Sequence, residues 1–146
     1  MKTIFDKTNY DELVGRVQKL NSSSVPGWGK MNVSEMLHHV NLTVEAPLGK
    51  TKTQGKPNFF MQIFKSVLYN DKPFGKGDPT PKDFKVAGTY DFDAEKEKCL
   101  LNLEDVFSKG VRGNYLPHVF FGKMTSELWG MHFYKHIDHH LSQFGV

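Results

Sequence analysis

Apolar positions recur at the spacing of an α-helix in five segments of the chain. The first segment, residues 8–20, places Leu13, Val17 and Leu20 on one helical face. The same spacing returns in four more segments: residues 33–47, 58–69, 93–107 and 126–144. No alternation of apolar and polar residues continues long enough to indicate a β-sheet. The pattern therefore predicts an all-α protein.

Local signals mark the ends of these helices and the loop between them. Asn32 and Glu35 have the spacing of a capping box, and Gly145 follows the last apolar position of the fifth helix. Residues 70–90 are dense in Pro, Gly, Lys and Asp, which favours a long ordered crossover loop. We therefore expect residues 1–146 to form one domain, a four-helix bundle with a long crossover loop and an accessory, lid-like helix at residues 58–69.

Composition and charge argue against several classes of protein. The 146 residues are 38% hydrophobic and 24% charged, as in an ordinary globular domain. The chain begins without the apolar run of a signal peptide and has no apolar stretch of membrane-spanning length, so we expect a cytoplasmic protein with no membrane partner. The net charge of +3 is weak, and the lysines of residues 50–85 lie scattered in Gly- and Pro-rich sequence, which argues against nucleic-acid binding. Cys99 lies in an apolar helical run, which predicts a buried, unreactive thiol.

Histidines are concentrated in two of the predicted helices. Six of the seven lie within residues 35–44 or 129–143. On a helical wheel with about 100° per residue, His136 and His140 share the apolar sector of the last helix, whereas His132 and His139 lie outside its edge. The spacing i, i+4 stacks His136 and His140 one turn apart, close enough for both to bind one cation.

The second helix supplies a third candidate ligand. His39 flanks the apolar arc of that helix, whereas His38 points away from it. Burying several imidazoles without partners would cost about 1–3 kcal/mol each, and a shared cation removes that cost. We therefore predict a divalent-metal site formed by His39, His136 and His140. Glu35, one turn before His39, is a candidate catalytic proton acceptor, and its alternative role is the capping box.

The residues alone leave the register of the site open. The doubled histidines at 38–39 and 139–140 allow either neighbour to be the ligand. His132 is assigned to the solvated edge of its helix or to a supporting role beside the ligands. His118 is most simply a loop residue near the mouth of the site, with a ligand role as the alternative.

These residues carry a likeness to a known family. The histidine pattern resembles that of the DinB/YfiT-like superfamily of metal-dependent helical bundles, and residues 118–146 look closer still to its DUF1569 branch. The resemblance implies that His39, His136 and His140 bind a divalent metal inside a four-helix bundle, and it suggests a homodimer. The pattern consists of Trp28, Ser34, His39, His136, His140 and Gln143.

Two functional hypotheses follow from these predictions. The first is a metal-dependent enzyme that uses zinc or nickel and an open coordination position to act on a small molecule, as a transferase or a hydrolase. Characterised relatives in the superfamily use low-molecular-weight thiols, so the resemblance implies a thiol as a partner. Trp28 and the aromatic helix from Phe59 to Tyr69 are candidate walls of the pocket, with ordinary core packing as the alternative role of each. The second hypothesis is a non-catalytic module with a structural metal or none. A fourth protein ligand, such as His132 or His118, would favour the second.

Overall fold

The computed structural model describes residues 1–57, 59–70, 72–77 and 80–146, without the side chains of residues 64 and 66–68. These residues contain no β-strand, only an isolated bridge between His118 and Gly122. The predicted all-α class is therefore confirmed. The helices are α1 (Lys7–Lys19), α2 (Val33–Glu45), α3 (Phe59–Leu68), α4 (Phe92–Lys109) and α5 (Ser126–Gln143), with 3₁₀ turns at Lys82–Phe84 and Gly110–Arg112.

The observed helices begin and end close to the predicted positions, because capping side chains set their ends. Asn32 and Glu35 form the predicted capping box, in which each side chain accepts the backbone N–H of the other residue at 2.9 Å. The side chains of Asp6, Asp91 and Thr125 accept backbone N–H groups in the first turns of α1, α4 and α5.

Some sequence predictions fall on residues that the structure does not describe. The predicted third helix begins at Asn58, and its predicted apolar face includes the side chains of Phe64, Val67 and Leu68. The predicted crossover loop includes Asp71, Asp78 and Pro79. These four residues and three side chains lie outside the described part of the chain, whereas the backbone of the rest of the predicted helix and loop lies within it.

Four of the helices share the main apolar core. Helices α1 and α2 each pack against both α4 and α5. In the described part of the chain, α3 has no comparable backbone contact with another helix, and the four-helix bundle with a crossover loop stays a prediction. Cys99 is buried in this core, and burial raises the pKa of its thiol to about 12, as expected for an unreactive thiol. The largest core side chains include Leu13, Met36, Leu37, Leu103, Trp129, Phe133 and Ile137.

A buried polar network joins α2 to α4. The Asn41 amide donates to the Glu95 carboxylate at 2.8 Å, and the Asn102 amide donates to Asn41 at 3.2 Å. The Glu95 carboxylate also pairs with Nδ1 of His38 at 2.9 Å. Burial acts to raise the pKa of Glu95, but the hydrogen bonds from Asn41 and His38 outweigh it and lower the pKa. Because buried polar groups need partners, this network sets the rotation of α2 against α4.

None of the described helices combines the length and the apolar character needed to cross a bilayer.

Candidate metal centre

Three histidine side chains from two helices meet at one point. Nε2 of His136 lies 3.3 Å from Nε2 of His39 and 3.2 Å from Nε2 of His140. All three nitrogens lie within 4.8 Å of one another, close enough to hold a metal ion. The predicted convergence of these imidazoles is therefore confirmed. Their helical positions explain it, because His136 and His140 lie one turn apart on α5 and α2 packs against that face.

Each of these rings is oriented by a hydrogen bond at its other nitrogen. Nδ1 of His39 lies 2.8 Å from the Phe84 carbonyl oxygen, which can only accept, so this nitrogen carries the proton. Nδ1 of His140 lies 3.1 Å from Oε1 of Gln143. The Gln143 amide nitrogen donates to the Trp28 carbonyl at 2.6 Å, which fixes the orientation of the amide and makes Oε1 the acceptor.

The Nδ1 atom of His136, the third ring, faces the hydroxyl of Thr43. The Thr43 hydroxyl donates to the Val40 carbonyl at 2.8 Å, so its oxygen is available to accept from Nδ1 of His136 at 3.3 Å. With a proton on every Nδ1, each Nε2 presents a lone pair to the common point. Hydrogen bonds of this kind orient metal-binding histidines in known sites and select their tautomer.

The spacing of the donor atoms fits a tetrahedral cation. Zinc binds histidine nitrogen at about 2.0–2.1 Å, and two ligands at a tetrahedral angle are then about 3.3–3.4 Å apart. The two separations at His136, 3.3 and 3.2 Å, agree with this value. Without a cation, the lone pair of His136 would face those of His39 and His140 at these distances and repel them.

Burial keeps the three rings neutral. Desolvation lowers the pKa of His39 below its ordinary value of 6.5, and it lowers the pKa of His140 to about 3. Desolvation, aided by His140 and His39, also lowers the pKa of His136, although part of this residue remains solvent-exposed. A histidine must be neutral to bind a metal, so these environments favour the ligating form near neutral pH.

The neighbouring histidines at the two doubled positions lie outside the group. His38 faces α4, where it pairs with Glu95 and stacks on Tyr90 with ring centroids 3.9 Å apart. The His139 ring contacts the Trp28 ring edge-on, with centroids 6.0 Å apart. Neither belongs to the cluster of three. The carboxylate of Glu35 accepts the backbone N–H of Asn32 in the capping box, the alternative role predicted for it.

Two positions were predicted for His132, the solvated edge of α5 or a supporting role beside the ligands, and the structure favours the second. His132 is 9% exposed, and its Nδ1 lies 3.1 Å from the hydroxyl of Tyr69. The solvated-edge alternative is wrong because the rings of Tyr69 and Phe74, which come after α3, pack against His132. His132 stacks on His136 with ring centroids 5.8 Å apart, so it supports the site from one turn earlier on the helix.

His118 lies in a turn packed against α5. Its Nδ1 accepts the backbone N–H groups of Phe120 and Phe121 at 3.1 and 3.2 Å, so the proton is on Nε2. Desolvation lowers its pKa to about 4. The ring contacts His132, with centroids 5.0 Å apart, but does not belong to the cluster of three histidines.

Comparison with known proteins assigns the chain to a family. The model of the family named DUF1569, described as a protein of unknown function, matches residues 2–145. The chain belongs to the DUF1569 family. Searches of curated proteins and of solved structures found no significant match. The DUF1569 branch suggested by the sequence is therefore confirmed, whereas nothing ties the chain to the wider DinB/YfiT-like superfamily.

In this DUF1569 protein, the cluster of three histidines has an aromatic neighbour that the sequence interpretation missed. The Phe74 ring lies near His132, His136 and His139, with centroid distances of 6.5, 6.4 and 6.0 Å. The ammonium group of Lys135 lies 4.8 Å from the centre of the same ring. Phe74 follows no helical pattern, and only the folded loop brings it to α5. Its hydrophobicity within a Lys- and Gly-rich segment was the one available signal.

Gly29 is required for the orientation of His140. Its φ of +85° is unfavourable for other residues, and an added Cβ would collide with Nε2 of Gln143. We expect Gly29→Ala to displace the Gln143 amide and to weaken metal binding about 10–100-fold, the usual effect of losing such a supporting hydrogen bond. Competition with a chelating dye measures this affinity. Gly15→Ala is the matched control, because a Cβ at Gly15 meets nothing within 4 Å. Equal affinities in the two variants would contradict a role for Gln143.

The buried histidines predict that acid destabilises the metal-free protein. The pKa values of His118 and His140, about 4 and about 3, lie below the ordinary 6.5 of the unfolded chain. Between these values the unfolded chain binds more protons, so the free energy of unfolding should fall as pH drops below 6.5. Urea denaturation with chelator at a series of pH values measures this dependence. His118→Asn should make the decline shallower, and a flat profile down to pH 4 would contradict the burial argument.

Proposed function

We propose that this chain is a divalent-metal-dependent enzyme in which His39, His136 and His140 bind the metal through Nε2. One observation carries the proposal: the Nδ1 atom of each ring lies within hydrogen-bond distance of an oxygen atom while all three Nε2 atoms face one point. Zinc and nickel are the favoured ions, since imidazole nitrogen suits both. The proposal includes the arrangement of α1, α2, α4 and α5 as a four-helix bundle around the site, in the manner of the DinB/YfiT-like proteins that the histidine pattern resembles.

A catalytic role is favoured over a structural one by the number of ligands. A structural zinc site is closed by four protein ligands, whereas a catalytic site has three and an open position. Among the described residues, the cluster contains three metal-binding side chains. The two histidines that could have closed it, His132 and His118, lie outside the cluster. Nδ1 of His132 faces Tyr69, and Nδ1 of His118 accepts two backbone N–H groups.

The side chains around the site suit a small substrate. A divalent cation bound here would act as a Lewis acid and lower the pKa of a water or thiol that shares it. Phe74 lies near the ring of His136, and the edge of Trp28 meets His139, so both supply apolar surface beside the ligands. Gln143, Thr43 and the Phe84 carbonyl hold the ligands rigid.

The class of reaction follows from this arrangement together with the resemblance. We infer group transfer that uses a low-molecular-weight thiol, or hydrolysis of a small molecule, by a cytoplasmic protein. A homodimer is part of this proposal by resemblance alone. Catalysis by Glu35 as a proton acceptor stays a prediction, and its carboxylate also caps the start of α2.

Metal content tests the ligand assignment. Protein purified without an affinity tag or added metal should carry close to one divalent ion per chain, measured by elemental analysis. The His136→Ala variant should lose most of the metal, because Nε2 of His136 lies close to Nε2 of both other histidines. His139→Ala is the matched control, since this histidine is adjacent to His140 but outside the cluster. Equal loss from the two variants would refute the assignment.

An exchangeable ligand tests the open position. In the cobalt-substituted protein, azide or a small thiol should alter the visible spectrum, because a three-histidine site leaves room for it. Thiols of increasing size should bind progressively more weakly if Phe74 and Trp28 limit the space, and Phe74→Ala should reduce that discrimination. A spectrum that no added ligand changes would favour a structural metal, and a chain that binds no metal would leave a non-catalytic module.

A further inference from the structure

Helix α3 presents an apolar face to solvent. Phe59, Phe60 and Ile63 are 69%, 71% and 56% exposed. At about 100° per residue, these three positions fall within an arc of about 100° and so form one stripe along the helix. The other large exposed apolar residues of the described chain are dispersed over different elements: Met1, Val25, Leu101, Val111 and Leu116.

The segment that contains α3 is strongly basic. Residues 50–85 include eight lysines, three aspartates, no glutamate and no arginine. Lys52 and Lys56 precede the helix and Lys72 follows it, and all three are exposed. Lys56 is three residues before Phe59, so the chain between them spans at most about 11 Å. Positive charge therefore lies within reach of the apolar stripe.

We propose that the exposed face of α3, with the lysines on either side, docks on an anionic lipid surface. A short helix with exposed aromatic residues and flanking lysines has the chemistry of an interfacial anchor, in which apolar side chains enter the headgroup region and ammonium groups contact lipid phosphates. The sequence interpretation expected no membrane partner because it considered membrane spans. Docking on a membrane surface needs no membrane-spanning helix, and it does not depend on the proposed metal chemistry.

Charge distinguishes a lipid surface from a second copy of the chain. Self-association through α3 would bring two basic segments together, and like charges at close range repel. An anionic bilayer instead supplies the opposite charge to the lysines and apolar surface to Phe59, Phe60 and Ile63. The face of α3 therefore favours lipid over its own copy.

Vesicle binding tests the proposal. The unchanged protein should co-sediment with vesicles of phosphatidylcholine and phosphatidylserine at least about ten times more strongly than with phosphatidylcholine alone, and added salt should weaken the binding. Replacing Phe59, Phe60 and Ile63 by Ser should remove most of it. Because these side chains are exposed, the variant should keep the far-ultraviolet circular dichroism of the unchanged protein. Binding that this variant retains in full would overturn the proposal.

A charge variant and a matched control complete the test. Lys52→Glu with Lys56→Glu should weaken vesicle binding about tenfold or more, independently of whether the serine variant folds. Leu101→Ser with Val111→Ser removes exposed apolar surface elsewhere and should leave binding unchanged. The absence of binding to anionic vesicles would overturn the proposal. A concentration-dependent dimer in sedimentation equilibrium that the α3 variant loses, without vesicle binding, would assign the face to self-association instead.

Discussion

The structure of the site depends on three hydrogen bonds at the Nδ1 atoms of His39, His136 and His140. Each acceptor is fixed independently of the site: the Phe84 carbonyl belongs to a 3₁₀ turn, the Thr43 hydroxyl is committed to Val40, and the Gln143 amide is anchored on Trp28. These bonds favour one tautomer and place Nε2 of His136 3.3 and 3.2 Å from Nε2 of His39 and His140. A cation bound between the three nitrogens would relieve the repulsion of their lone pairs, and this is the physical reason for the proposed function.

The supports of the site come from well-separated parts of the chain. Gln143 lies at the end of α5, yet its amide reaches the backbone before α2, and an added Cβ at Gly29 would displace it. Phe84 lies in the segment that leads to α4. Since the acceptors belong to different elements, the donor geometry exists only when the whole domain is folded. A bound metal would in turn stabilise that fold, because it binds the folded state alone.

Burial of polar groups elsewhere decides which histidine faces the site. The network of Asn41, Asn102 and Glu95 fills the interface between α2 and α4, and it takes up His38. Consecutive residues on a helix point about 100° apart. When α2 is rotated so that His38 pairs with the Glu95 carboxylate, His39 therefore points toward α5. The pairing of the Glu95 carboxylate with His38 thus decides which of His38 and His39 faces the site.

The helices and the capping box at Asn32 and Glu35 were predictable from the sequence, because apolar periodicity and capping residues act over one or two turns. The sequence also selected His39, His136 and His140, since positions on a helical wheel follow from the backbone alone. The wheel could not show that His132 is buried, because Tyr69 and Phe74 cover it through contacts distant in sequence. The roles of Phe84 and Phe74 were equally inaccessible, since a carbonyl carries no sequence signal and the loop position of an aromatic ring is set by packing. Only the tertiary structure brought these groups together, because hydrogen-bond acceptors and covering side chains depend on contacts between elements rather than on periodicity within one.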